Sequence, residues 1–95
     1  MTTWPEWDET EYRACLAAER RCYIWTLRRY GDFTPAQAEA EADTVYAYEP
    51  SDIPYRGLVF HDEAWHWAMT RIFGTTYTVD HPELRSPSPE YRALD

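Results

Sequence analysis

The sequence predicts an all-α fold: a compact three-helix domain closed by a Pro-rich C-terminal wrap. Three observations predict it. Three segments open with helix-start signals and continue with apolar residues at three- and four-residue spacing. Each is stopped cleanly, by Gly31, Pro50 or Gly74. The chain of 95 residues has room for one core and no second one. Residues 1–95 therefore form a single helical domain, with about 80–95 as a surface tail. The apolar fraction of 44% is that of an ordinary globular protein. Five Trp, eight Tyr and three Phe give a small core much apolar area per residue.

The first helix starts at Asp8, which can cap it, with Glu11 completing a capping box and Trp7 and Tyr12 placed as a hydrophobic staple. It runs to Tyr30, and Gly31 supplies a left-handed stop. Its apolar face reads Tyr12, Cys15, Leu16, Cys22, Tyr23, Leu27 and Tyr30. Glu19 falls near the middle of that face, where a buried carboxylate needs a partner. Arg71 and the tyrosine hydroxyls are the candidates. Ile24 and Trp25 fall off the face, among arginines, either under the chain termini or exposed. Cys15 and Cys22 lie about 10 Å apart along the axis, too far to bridge. They read as reduced packing residues.

The second helix has Thr34 as cap, Pro35 in the first position and Gln37 closing the box. It reaches Tyr48 before Pro50. Ala38, Ala42, Val45 and Tyr46 make its inner stripe, and Glu39, Glu41 and Asp43 point to solvent. Ser51 to Gly57 is a loop. The third helix starts near His61 or Asp62 and ends at Phe73, with Trp65, Ala68, Met69, Ile72 and Phe73 on one face. Leu58–Phe60 and the alternating Thr75–Val79 leave room for one short two-stranded β pair. From Asp80 onward the prolines predict a wrapped tail, with short helical turns near Pro82 and Pro89.

Charge is segregated along the chain. Net charge is −8, and all nine basic residues are Arg. The absence of Lys and Asn, with Gln37 as the one Gln, suggests a GC-rich genome. Between Arg29 and Arg56 stand six acids and no base: Asp32, Glu39, Glu41, Asp43, Glu49 and Asp52. So acidic a chain is repelled by phosphates and anionic lipids, which argues against direct nucleic-acid or membrane binding. It suits the basic surface of a larger protein instead, including one that itself binds nucleic acid. A solvated helix face shows the same spacing. Trp4, Trp25, Tyr48 and Trp67, off the predicted stripes, are the candidate aromatic anchors. Stacking of Arg21, Arg28 or Arg29 on Trp25 is the local alternative for that ring. There is no apolar stretch long enough to span a bilayer, and the N-terminus, Met-Thr-Thr-Trp-Pro-Glu, lacks the basic start of a signal peptide. Both point to the cytoplasm.

No motif points to catalysis. His61 and His66 are five apart, which turns them about 140° from each other on a helix, whereas a zinc-protease pair needs a spacing of four. Glu63 and His66 have the spacing of a bundle metal site, but no second copy exists. Cysteines inside an apolar face are ordinarily inert, and no glycine-rich phosphate loop is present. No cofactor and no metal are expected.

In size and charge the chain resembles small inhibitors encoded by phages and mobile elements, anti-CRISPR proteins among them. That resemblance implies a non-catalytic inhibitor acting in the cytoplasm of a bacterial host. It would block a nuclease or surveillance complex sterically at its nucleic-acid site, with the acidic second helix facing basic residues. The alternative reading is an immunity protein or antitoxin that neutralises a cognate toxin.

Overall fold

The computed structural model describes residues 7–94. Helix α1 (Glu9–Tyr30) starts where the sequence signals it. Asp8 Oδ2 accepts the Glu11 N–H at 3.3 Å, and Trp7 meets the Tyr12 ring edge-on at 6.3 Å. Tyr12, Leu16, Cys22, Tyr23 and Leu27 are buried along it. Thr26 interrupts the apolar pattern yet is fully buried, because its hydroxyl donates to the Cys22 carbonyl at 2.7 Å. Gly31 ends the helix in an extended conformation, not a left-handed one (φ −115°). Glycine is needed there for space: an added Cβ would stand 2.8 Å from the Phe33 ring and 2.9 Å from the Leu27 carbonyl.

Helix α2 (Pro35–Val45) has a closed capping box, with Thr34 Oγ1 accepting from Gln37 N–H and Gln37 Oε1 accepting from Thr34 N–H. It stops at Val45 instead of continuing to Tyr48. At that point Arg20 of α1 donates to the Tyr46 carbonyl, from Nη2 at 2.6 Å and Nε at 3.0 Å. A guanidinium thus closes the negative end of α2.

Helix α3 (Ala64–Phe73) begins later than His61 or Asp62, because Leu58–His61 is a separate 3-10 turn. Its first donors are satisfied from a distance. Ala64 N–H donates to Glu19 Oε2 at 3.1 Å, and Trp65 N–H donates to the Tyr91 hydroxyl at 3.2 Å. Glu19 is therefore bonded to the backbone of α3, and Arg71 goes elsewhere.

The described residues contain no strand. The short β pair for which the sequence left room does not form, because both halves are otherwise engaged. Gly57 (φ 85°) turns the chain into the 3-10 segment, and the Val59 carbonyl accepts from Trp67 Nε1 at 2.9 Å. The other half becomes helix α4 (Tyr77–Asp80), pinned by Thr76 Oγ1 on Asp80 at 2.7 Å. A lone two-stranded pair offers too little burial to compete.

The wrap contains a 3-10 turn at Pro82–Leu84 and helix α5 (Pro89–Arg92), capped by Ser88. It is more than a surface tail. Tyr91 is buried against Trp65 at 5.4 Å and Trp25 at 6.4 Å, and Trp65 Nε1 donates to the Leu84 carbonyl at 2.8 Å. A second aromatic group surrounds Phe60, with Trp7, Tyr12 and Tyr46 at 5.6, 5.8 and 6.3 Å. Buried Ala38, Ala42, Ala64 and Ala68 let α1, α2 and α3 approach closely around these rings.

Replacing Glu19 or Arg20 by Ala should each lower stability by about 1–2 kcal/mol, the usual cost of a lost helix cap. Urea unfolding followed by far-UV circular dichroism measures this, and a neutral Glu19→Ala would remove the tertiary cap from the account. The Tyr46 hydroxyl is buried with no hydrogen-bond partner among the described residues. Tyr46→Phe should therefore keep stability or raise it by about 1 kcal/mol.

Candidate functional site

The acids of the Arg29–Arg56 interval do not form one ridge. Glu39 and Asp43, four residues apart, share one flank of α2 and are exposed, with Asp43 4.0 Å from Arg20 Nη1. Glu41 lies about 200° round the helix from Glu39. Expected in solvent, it is half-buried against α3, where Arg71 Nη2 reaches it at 2.7 Å and holds its carboxyl below the usual range. Glu49 is half-buried and turned inward, accepting the Gly57 N–H at 3.1 Å. Asp32 and Asp52 are exposed at either end. The outward centre of α2 is neutral, carrying Ala36, Ala40 and Thr44.

Of the candidate aromatic anchors among the described residues, Tyr48 is exposed, and Trp25 and Trp67 are half-buried. Trp4 lies outside the described residues. Trp67 has its Nε1 bonded to Val59, and Trp25 lies under the C-terminal segment. Also exposed are three side chains the sequence did not single out: Ile53, Tyr55 and Leu58. Tyr55 is 63% and Leu58 55% exposed, so these are presented outward and are not core residues at an edge. The signal for them was slight: an apolar residue between Pro50 and Pro54, then Tyr and Leu around a lone arginine.

That arginine, Arg56, explains how the loop is held. It is 4% exposed, donates to Glu9 Oε1 at 2.8 Å, and lies 3.9 Å from the centre of the Tyr12 ring. Glu9 Oε2 accepts the Tyr48 hydroxyl at 2.6 Å and Arg13 Nε at 2.8 Å. Tyr12 in turn accepts the Glu49 N–H at 2.9 Å. The N-terminal turn of α1 thereby fixes both ends of the loop. Within it Tyr55 has φ 58°, a left-handed conformation costing about 1–2 kcal/mol for a residue with a side chain. Such strain persists only where the surroundings over-determine it, and it clusters at recognition sites. Beside the loop is a hollow of about 370 Å³ lined by Leu58, Val59, His61, Asp62 and Trp67.

Glu63 and His66, which share the spacing of a bundle metal site, turn to separate partners. Glu63 forms a two-pronged pair with Arg92, whereas His66 Nδ1 faces the Tyr77 hydroxyl at 3.0 Å. Burial, with nearby Glu19, pushes the Cys15 thiol up, away from a reactive thiolate. Among the described residues no group of three or more His, Cys, Asp or Glu is placed to hold a metal, and no helix is long and apolar enough to cross a membrane.

The Tyr48 hydroxyl, Arg13 and Arg56 hold Glu9 down at about 2, against an ordinary 4.5. A depressed carboxyl stabilises the fold above its unfolded value and stops doing so as it protonates. The Glu9 contribution is therefore complete above pH 4.5 and lost as pH falls towards 2. Stability measured against pH should show this step in the wild type and lack it in Glu9→Gln. An identical acid limb in both proteins would detach the loop from this network. No family model, curated protein or solved structure matches the chain, and its surfaces are read from their own chemistry.

Proposed function

We propose that this chain is a non-catalytic binding protein that inhibits a larger protein by covering one of its basic surfaces. The observation that carries the reading is the loop from Tyr48 to Leu58. It holds four large apolar side chains outward on a backbone pinned by Arg56. Aromatic anchors on a pre-organised loop lose little entropy on binding and are over-represented among interface hot spots.

Charge supplies the other half of the argument. The one arginine between Arg29 and Arg71 is the buried Arg56, so acids dominate this side of the chain. Exposed Asp52 lies in the loop itself, with Asp32, Glu39 and Asp43 around α2. Together with a net charge of −8, they favour encounter with a basic partner, raising the association rate more than the affinity. In this reading the acids steer and the loop anchors. By its size and charge resemblance to anti-CRISPR-type inhibitors, the partner proposed is a nucleic-acid-binding complex of a bacterial cytoplasm.

Affinity capture from the host, with mass spectrometry, identifies a partner, whose activity is then titrated with purified protein. One equivalent should suffice for inhibition. Tyr55→Ala should weaken binding by about thirtyfold, the scale of a hot-spot loss. Reversing Glu39, Asp43 and Asp52 to Lys should slow association and flatten its salt dependence. A captured protein whose activity is untouched, or one bound equally by both variants, refutes the reading.

A further inference from the structure

A second surface, of opposite charge, lies towards the other end of α1. Arg21, Ile24, Trp25 and Arg28 fall within about 100° of one another round that helix, and Arg29 borders them. With Phe33 and Leu94 they line an open groove of about 630 Å³, within the size range of ordinary ligand sites. Its floor is apolar and fixed. Trp25 is held edge-on by Tyr30 at 6.2 Å and by Tyr91 at 6.4 Å.

Its rim is cationic in a chain whose other arginines are committed. Arg13 and Arg56 pair with Glu9, Arg71 with Glu41 and Arg92 with Glu63. Arg20 and Arg85 donate to the carbonyls of Tyr46 and Thr78. Arg28 and Arg29 are exposed and have no carboxylate or carbonyl acceptor among the described residues. Arg29 rests over the Tyr30 ring at 5.2 Å, which orients it without neutralising it. The helix dipole favours basic residues in a last turn. It does not account for an apolar groove between them.

We infer that this groove is a second docking site, whose occupant is an acidic peptide segment carrying an aromatic or aliphatic side chain. The apolar side chain lies on Trp25 and Ile24, and flanking carboxylates meet Arg28 and Arg29 in the two-pronged geometry that guanidinium groups favour. An open groove suits an extended segment better than an enclosed small molecule. The site stands independently of the Tyr48–Leu58 loop, which is tied to the first turns of α1 about 20 Å away. The chain is then bivalent: it can hold a basic surface at one end and an acidic segment at the other.

The test is titration with a fluorescein-labelled hexapeptide, Phe-Leu flanked by two Glu on each side, read by anisotropy and by the Trp25 indole resonance. Saturable binding at micromolar concentration that weakens with salt is expected. Arg28→Glu with Arg29→Glu should weaken it at least tenfold, and Arg28→Lys with Arg29→Lys should fall between that variant and the wild type. Both positions are exposed, and circular dichroism checks that the fold survives. Tyr55→Ala should leave peptide binding unchanged, so the loop and the groove can fail separately. The proposal is overturned by no saturation up to about 1 mM, by indifference to charge reversal, or by equal binding of a peptide with Ser in place of Phe and Leu. Self-association abolished by the charge reversal, without peptide binding, assigns the groove to a second copy and overturns it too.

Discussion

Two adjacent residues in the middle of α1 organise this fold. Glu19 points an anion at the N-terminus of α3, and Arg20 points a cation at the C-terminus of α2. Each complements the helix end it meets, in both hydrogen bonding and dipole sign. A surface ion pair of two such residues is worth little. Here they are separated, and each serves a different helix. α1 therefore sets where its neighbours end as well as the face they pack on. The position of α3 fixes Trp65, which anchors Leu84 and Tyr91. The position of Tyr46 fixes the start of the loop that carries Tyr55.

The core follows from the same economy. With Ala at the close contacts of α2 and α3, the helices alone leave large gaps to fill. Rings fill them from outside the three main helices: Phe60 from the 3-10 turn, Tyr77 from α4 and Tyr91 from α5. Edge-on contacts predominate, as ring quadrupoles favour. Segments without long regular structure are thereby as much part of the interior as the helices. That is why the Pro-rich wrap is not a loose appendage.

What was legible in the sequence was local. The starts at Asp8 and Thr34 are encoded within three residues of the cap, and both formed. The stripes of α1 and α3 followed from spacing alone. What was not legible depended on residues far apart in the chain. Glu19 reads as an awkward acid on an apolar face until Ala64, 45 residues on, supplies its donor. Glu41 and Asp43 look equivalent in a list of acids, yet only Glu41 finds Arg71. Tyr55 and Leu58 were hidden because turn residues are read for their backbone, and only the buried Arg56 between them turns their side chains outward. Alternation at Thr75–Val79 left room for a strand only with a partner, and Leu58–His61 forms a 3-10 turn instead.

The hydrogen bond from Trp65 to Tyr91 has a consequence for biogenesis. It spans 26 residues and draws on almost the last turn described. During synthesis α1 and α2 can meet as soon as Tyr46 leaves the ribosome, since their clasp is local to that first half. α3 cannot complete its amino end until Tyr91 has followed. For that interval Trp65 and Trp25 lack their shared cover, and a nascent chain paused short of Tyr91 presents an unfinished aromatic face to chaperones.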